Sequence, residues 1–324
     1  MTDPLRPDVL RPDVLIGAAL PPVTMAALER AFTVHRLWDN PGDDALAQVR
    51  GMAASTLAGP IGAALFERMP ALEVIANFGV GYDNIDIAAA AARGIVVTNT
   101  AGVLDEEVAD LAIGLLLATL RRIPAGDRFV RDGHWTDASF PLSPSLRGRR
   151  VGIVGLGGIG KAIARRLGAF AVDIAYHGRT QQQGVGYPWY PTALALAQAC
   201  DVLIVVVPGG AQTRHMIDAD VLAALGADGV LINVSRGTVA NEDALIAALQ
   251  KGTILAAGLD VFAHEPHVPE ALRALDNVVL LPHVGSGSVV TRAAMGQAMV
   301  GNLSAWFATR QPPNVVPETR HLAG

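Results

Sequence analysis

Arg236, Glu265 and His283 are the side chains of this 324-residue chain whose types could move a proton beside an anion. Histidine titrates near neutrality, and a carboxylate next to it favours the charged ring and fixes which nitrogen holds the proton. An arginine fork suits a carboxylate or a polarised carbonyl. Separately each has a plainer explanation, since loop Arg and Glu are usually solvated and a histidine after a strand is often structural. Their placement argues against that. Arg236 follows the apolar run Val230 to Val234, Glu265 lies in the loop Phe262-Ala-His-Glu-Pro266, and His283 follows Leu280-Leu-Pro282.

A second constellation is Gly155-Leu-Gly157-Gly-Ile-Gly160, preceded by the apolar run Val151 to Val154 and followed by a helix-like run from Lys161 to Phe170. In a Gly-x-Gly-x-x-Gly turn the first glycine permits the turn, the second admits a pyrophosphate, and the third lets helix and strand pack closely. The helix start then offers N–H groups and partial positive charge to the phosphates. About 20 residues further on, an NAD-type site places an acid on the ribose. Here the second strand-like run ends in His177-Gly178-Arg179-Thr180, with no acid between Asp173 and Asp201. Arg179 can hold a 2′-phosphate, Gly178 leaves room for it and the Thr180 hydroxyl can donate, so NADP(H) is the preferred cofactor, with NAD(H) possible.

These residues need a frame. Apolar runs recur at Val151 to Val154, Asp173 to Tyr176, Val202 to Val207, Gly229 to Val234, Ala256 to Leu259 and Val278 to Leu281, with helix-like segments such as 194–199, 219–225 and 241–250 between several of them. Continuous apolar strands alternating with helices predict a Rossmann-type, doubly wound parallel sheet of six strands. An earlier alternation, with strands at 14–18, 33–37, 74–77 and 95–98, predicts a second, smaller α/β domain of flavodoxin-like type. The helix-like stretch Val289 to Phe307 follows the last Rossmann strand. The expected organisation is therefore a discontinuous substrate domain, 1–100 and 284–324, into which a dinucleotide-binding domain, 101–283, is inserted.

Composition narrows the classes. The net charge is −5, which gives no reason to expect nucleic-acid binding, and the single cysteine, Cys200, permits neither a disulfide framework nor a cysteine metal cluster. No His/Cys/Asp cluster has metal-ligand spacing, so no metal is expected. The apolar run 111–120 is too short to span a bilayer, and no leader-like segment is evident, which predicts a cytoplasmic protein. The repeat Leu5-Arg-Pro-Asp-Val9, Leu10-Arg-Pro-Asp-Val14 reads as a local duplication whose first copy is a tail. From 104 to 122 a helix begins with acids and ends with arginines, as the helix dipole favours, and its wide apolar surface suggests a subunit contact.

Together these pieces resemble the D-isomer-specific 2-hydroxyacid dehydrogenase family. The likeness rests on Asn77-Phe-Gly-Val-Gly-Tyr-Asp-Asn-Ile-Asp86, Glu106-Glu-Val-Ala-Asp110, the glycine turn, Asn233-Val-Ser-Arg-Gly237, Gly258-Leu-Asp-Val-Phe262 with Glu265-Pro266, and Pro282-His-Val-Gly285. The resemblance implies that His283 is the general acid/base, Glu265 its carboxylate partner and Arg236 the substrate clamp. It implies that the Val80 and Gly81 N–H groups hold the substrate carboxylate. Cofactor contacts would come from Leu156, Gly158 and Ile159 on the pyrophosphate and Asp260 at the nicotinamide end, with Val207, Pro208, Val234 and Gly285 completing the wall. The absent second-strand acid departs from NAD-using members; the turn at 287–289 also varies.

Within that family the chain looks most like glyoxylate/hydroxypyruvate reductases and hydroxyphenylpyruvate reductases. The expected reaction is NADPH-dependent reduction of a short 2-keto acid to the D-2-hydroxy acid. Alternatives are a hydroxyphenylpyruvate-type reductase, an NAD-dependent formate- or phosphite-type dehydrogenase, and a cofactor-sensing, corepressor-like binding protein. A homodimer is expected, with the segment Trp135 to Leu142, including Phe140, as an arm that could reach the partner.

Overall fold

The computed structural model describes residues 11–324, so the first copy of the repeat, 5–9, lies outside the described residues. The chain divides into two compact units, Met1–Leu104 with Val289–Gly324, and Asp105–Ser288. The divisions fall where the helices Asp105–Leu120 and Val289–Thr309 begin, rather than at 100/101 and 283/284, so Gly285 stays in the same unit as His283.

The first unit holds strands β1 (Asp13–Ile16), β2 (Thr33–Arg36), β3 (Gly51–Ala54), β4 (Val74–Asn77) and β5 (Val96–Thr98). They pair in parallel in the order β2-β1-β3-β4-β5, the flavodoxin-type order. β3 escapes the sequence pattern because Gly-Met-Ala-Ala has no β-branched or aromatic residue; burial between β1 and β4 makes it a strand. The helix Val289–Thr309 joins this unit through Asn302, whose Nδ2 donates to the Asn99 carbonyl at 3.2 Å, and Trp306, whose Nε1 donates to Glu73 at 3.0 Å.

The second unit holds β6 (Arg150–Val154), β7 (Asp173–His177), β8 (Trp189–Tyr190), β9 (Val202–Val205), β10 (Val230–Asn233), β11 (Ala256–Leu259) and β12 (Val278–Leu280). Its sheet, ordered β12-β11-β10-β9-β6-β7-β8 and parallel throughout, is a Rossmann sheet of seven strands rather than six. The extra strand, β8, has only two residues, too few to show a period. Val151, Ile153, Val154, Leu203, Ile204 and Ile232 are wholly buried, each contributing roughly 1.5–3 kcal/mol relative to exposure. The helix Asp105–Leu120 lies tightly on β11: a Cβ at Gly258 would stand 2.5 Å from the Thr119 hydroxyl. Arg122, at φ +51°, ends that helical run and a second helix, Ile123–Arg131, follows.

Cys200 is buried, and burial pushes its thiol up to about 12, which leaves it a packing residue. Among the described residues no helix is long and apolar enough to cross a membrane.

Candidate active site

In an open parallel sheet the ligand edge is the carboxyl end of the strands, where the chain leaves each buried run and its polar groups are released. The turn after β6 carries the three glycines, and each has a different reason to be glycine. Gly155 has φ +102°, which a side chain rarely adopts. A Cβ at Gly160 would stand 2.1 Å from the Gly155 carbonyl oxygen, so only glycine lets helix and strand close. At Gly157 a Cβ would meet nothing within 4 Å. That open backbone face is where a pyrophosphate can approach. The helix Gly158–Leu167 begins there, with Leu156 in the turn and Ile159 in its first helical turn, and no side chain caps it. The residues present thus fit a dinucleotide.

The β7 end is stitched to this turn. The Gln182 N–H donates to the Tyr176 hydroxyl at 2.8 Å and Gln182 Nε2 donates to the Leu156 carbonyl at 2.8 Å. Trp189 Nε1 donates to the Gly178 carbonyl at 3.1 Å, and His177 Nδ1 lies 2.9 Å from the Tyr190 carbonyl. Arg179 and Thr180 take no part in these bonds and are exposed. Val207 packs on the first glycine, since a Cβ at Gly155 would lie 2.8 Å from its Cγ1; Pro208 follows, its carbonyl accepting from the Thr213 hydroxyl at 2.7 Å. Val234 is buried and donates its N–H to the Val205 carbonyl.

Beyond β10, β11 and β12 the structure brings Arg236, Glu265 and His283 into one neighbourhood. His283 Nδ1 lies 2.7 Å from Glu265 Oε2. Burial raises the Glu265 carboxyl, but the hydrogen bond and charge of His283, the Phe262 N–H and the Arg236 charge outweigh it and hold the group below its ordinary value. An ionised carboxylate only accepts, so Nδ1 carries a proton and Nε2 is the nitrogen left for a reacting atom. Arg236 donates through Nη1 to the Ser235 carbonyl at 2.8 Å.

The backbone around His283 is held just as firmly. His283 has φ +52°, a left-handed conformation uncommon outside glycine. The two N–H groups that follow, of Val284 and Gly285, donate to Asp260 at 2.7 and 2.8 Å. Asp260 is almost wholly buried, and burial raises its carboxyl despite these two donors. Both of its oxygens are therefore committed to the His283 turn.

In the first unit, the Val80-Gly81 turn follows β4. Asn77 Nδ2 donates to the Gly79 carbonyl at 3.1 Å and the Gly81 carbonyl at 2.9 Å, and Asn99 Nδ2 donates to the Val80 carbonyl at 3.0 Å. Three carbonyls of this turn are thus tied back by asparagine side chains, and successive backbone N–H groups in a turn can receive an anion.

Residues 113–285 match the family described as D-isomer specific 2-hydroxyacid dehydrogenase, NAD binding domain. Glyoxylate/hydroxypyruvate reductase A of Arabidopsis thaliana is 49% identical over 286 residues, 87% of this chain and 91% of its own length. Hydroxyphenylpyruvate reductase of Plectranthus scutellarioides is 45% identical over 286 residues, again 87% and 91%. The chain belongs to the D-isomer specific 2-hydroxyacid dehydrogenase family. Among solved structures, the NADPH-dependent glyoxylate/hydroxypyruvate reductase of Sinorhizobium meliloti, in complex with NADP and malonate, superposes with a TM-score of 0.91 at 53% identity, over 95% of this chain and 98% of that one.

This dehydrogenase also has residues that reading along the strands does not single out for a role: Asn77, Asn99 and Asn233. Asn233 ends β10; its Nδ2 donates to the Arg236 carbonyl at 3.0 Å, and its Oδ1 accepts from the Ser235 N–H and hydroxyl. An asparagine closing or just following a buried strand is a poor strand former and a good turn maker, which is the signal that could have found all three. Among the described residues no group of His, Cys, Asp and Glu could hold a metal ion.

Proposed function

We propose that this dehydrogenase reduces a short 2-keto acid of the glyoxylate/hydroxypyruvate kind to the D-2-hydroxy acid with NADPH. The carrying observation is the 2.7 Å pair of His283 and Glu265 at the carboxyl end of a dinucleotide-type sheet, with Arg236 close enough to bias the same carboxylate. Leu156, Gly157, Gly158 and Ile159 would hold the pyrophosphate, and Arg179 with Thr180 and the Gly178 backbone the 2′-phosphate. The Sinorhizobium meliloti relative, solved with NADP, supports this choice of cofactor.

When bound, the reduced nicotinamide supplies a hydride to the keto carbon. His283 protonates the carbonyl oxygen from Nε2, and Glu265 holds the ring through Nδ1. Arg236 stabilises the developing alkoxide, and the Val80 and Gly81 N–H groups take the substrate carboxylate. The exposed apolar residues Trp135 and Leu142 support a homodimer. Phe140 packs within its own subunit, its ring 5.3 Å from that of Phe129 and under the Arg122 guanidinium, so it steadies the arm.

Steady-state kinetics with glyoxylate, hydroxypyruvate and hydroxyphenylpyruvate, each with NADPH and NADH, test the reading. The highest kcat/KM is expected for the two short acids with NADPH. Equal use of both cofactors, or turnover of hydroxyphenylpyruvate alone, overturns it.

A further inference from the structure

The loop that carries Glu265 has two consecutive N–H groups, those of Phe262 and Ala263, and each is held by a different carboxylate. Phe262 N–H donates to Glu265 Oε1 at 3.0 Å, a bond within the loop itself. Ala263 N–H donates at 3.1 Å to Glu242, which lies outside the loop at the first position of the helix Glu242–Gln250. Glu242 is not needed to cap that helix, because the Asn241 side chain already accepts from the Ala244 N–H.

The same two residues, Phe262 and Ala263, press on the Arg236 turn. A Cβ at Gly237 would stand 1.8 Å from the Phe262 carbonyl carbon and 2.3 Å from the Ala263 nitrogen, so the two backbones touch. The segment that delivers Glu242 is itself fixed. His215 N–H donates to the Thr238 carbonyl, Ile217 N–H to the Val239 carbonyl, and Asn241 N–H to the Ile217 carbonyl, at 2.9 to 3.0 Å.

We propose that Glu242 is a positioning residue, which clamps the Glu265 loop against the Arg236 turn and so sets the placement of both groups around His283. The inference rests on the function proposed above. Glu242 touches no reacting atom; it acts through the Ala263 N–H, and only an acceptor of its reach can do so.

The test uses the full chain in steady-state reduction of glyoxylate by NADPH. Glu242→Gln keeps an amide oxygen at the same reach and should retain kcat within about twofold. Glu242→Met keeps the length but has no such acceptor, and should lower kcat by roughly 5- to 50-fold with KM for NADPH unchanged, as expected for a misplaced catalytic pair. Glu242→Asp keeps the charge but falls short, and should match Met; it carries the test if the Met variant does not fold. Full kcat in both Met and Asp variants overturns the inference, as does an equal loss in Gln and Met or a rise in NADPH KM that accounts for the loss. An unmodified protein that reduces no 2-keto acid with NADPH overturns the functional reading, and this inference with it.

Discussion

Two histidine–carboxylate pairs in this chain have the same separation. His283 lies 2.7 Å from Glu265, and His35 lies 2.7 Å from Asp13, in the other unit. Exposure barely separates them, at 37% and 34% against 22% and 31%. Their backbones do. His35 sits within β2, opposite Leu15 of β1, and Asp13 opens β1, so the second pair forms across a regular parallel ladder. His283 stands just past the end of β12 in a left-handed conformation, its following N–H groups tied to a buried aspartate and an arginine biasing its partner. A short His–carboxylate distance therefore says little; placement at the ligand edge and a backbone fixed by buried groups say more.

The sharpest way to break this contrast is to delete each ring. His283→Ala should lower turnover by about 10² to 10⁴ with little change in NADPH KM, because proton transfer is lost. His35→Ala should leave turnover within about twofold, as a substitution within a regular strand ladder. Similar kcat losses in both would remove the distinction.

Placement at the ligand edge is also what singles out Arg179, at the end of β7. Arg179→Ala should remove a charge-assisted bond of about 1.5–3 kcal/mol, which lowers kcat/KM for NADPH by roughly 10- to 150-fold and leaves NADH unaffected. Equal losses with both cofactors would make Arg179 a general surface residue.

Glu265 sharpens the comparison through pH. Its folded carboxyl is held below the ordinary value of 4.5, so it contributes stability that is present above pH 4.5 and is lost as pH falls through the lower folded value. Thermal melts of Glu265→Gln against the unmodified protein should differ at about pH 5 and converge in more acid solution. A gap that widens on acidification would contradict the ionised pairing. Asp260 runs the other way: its raised carboxyl takes a proton earlier in the fold than in the unfolded chain, which favours folding as pH falls. The smallest effect is expected of Asp13→Asn, a partly exposed pair worth under about 1 kcal/mol, with turnover unchanged.

The contrast also marks what reading the sequence can reach. The glycine turn, the apolar strands around it and the residues just beyond their ends follow from residue type and spacing, and the parallel α/β architecture follows from them. β3 and β8 do not, because Gly-Met-Ala-Ala and Trp-Tyr become strands only through their neighbours. The residue types of Glu265 and His283 suggest a pair, but not the 2.7 Å between them or the left-handed turn that Asp260 holds. Glu242 was hidden for a similar reason: an acid at a helix start is explained locally by the helix dipole, and its partner lies across the fold.

The three glycines of the turn after β6 differ in what a methyl group would disturb. At Gly155 and Gly160 it would strain or wedge apart the polypeptide, whereas at Gly157, with φ −78° and empty space beyond the backbone, it would cost the free protein little. Gly157→Ala should therefore separate folding from cofactor loading: the melting curve of the free protein is expected to stay unaltered, while the gain in heat resistance on adding NADPH is expected to disappear. Such a variant would allow the free protein to be studied in the presence of the nucleotide.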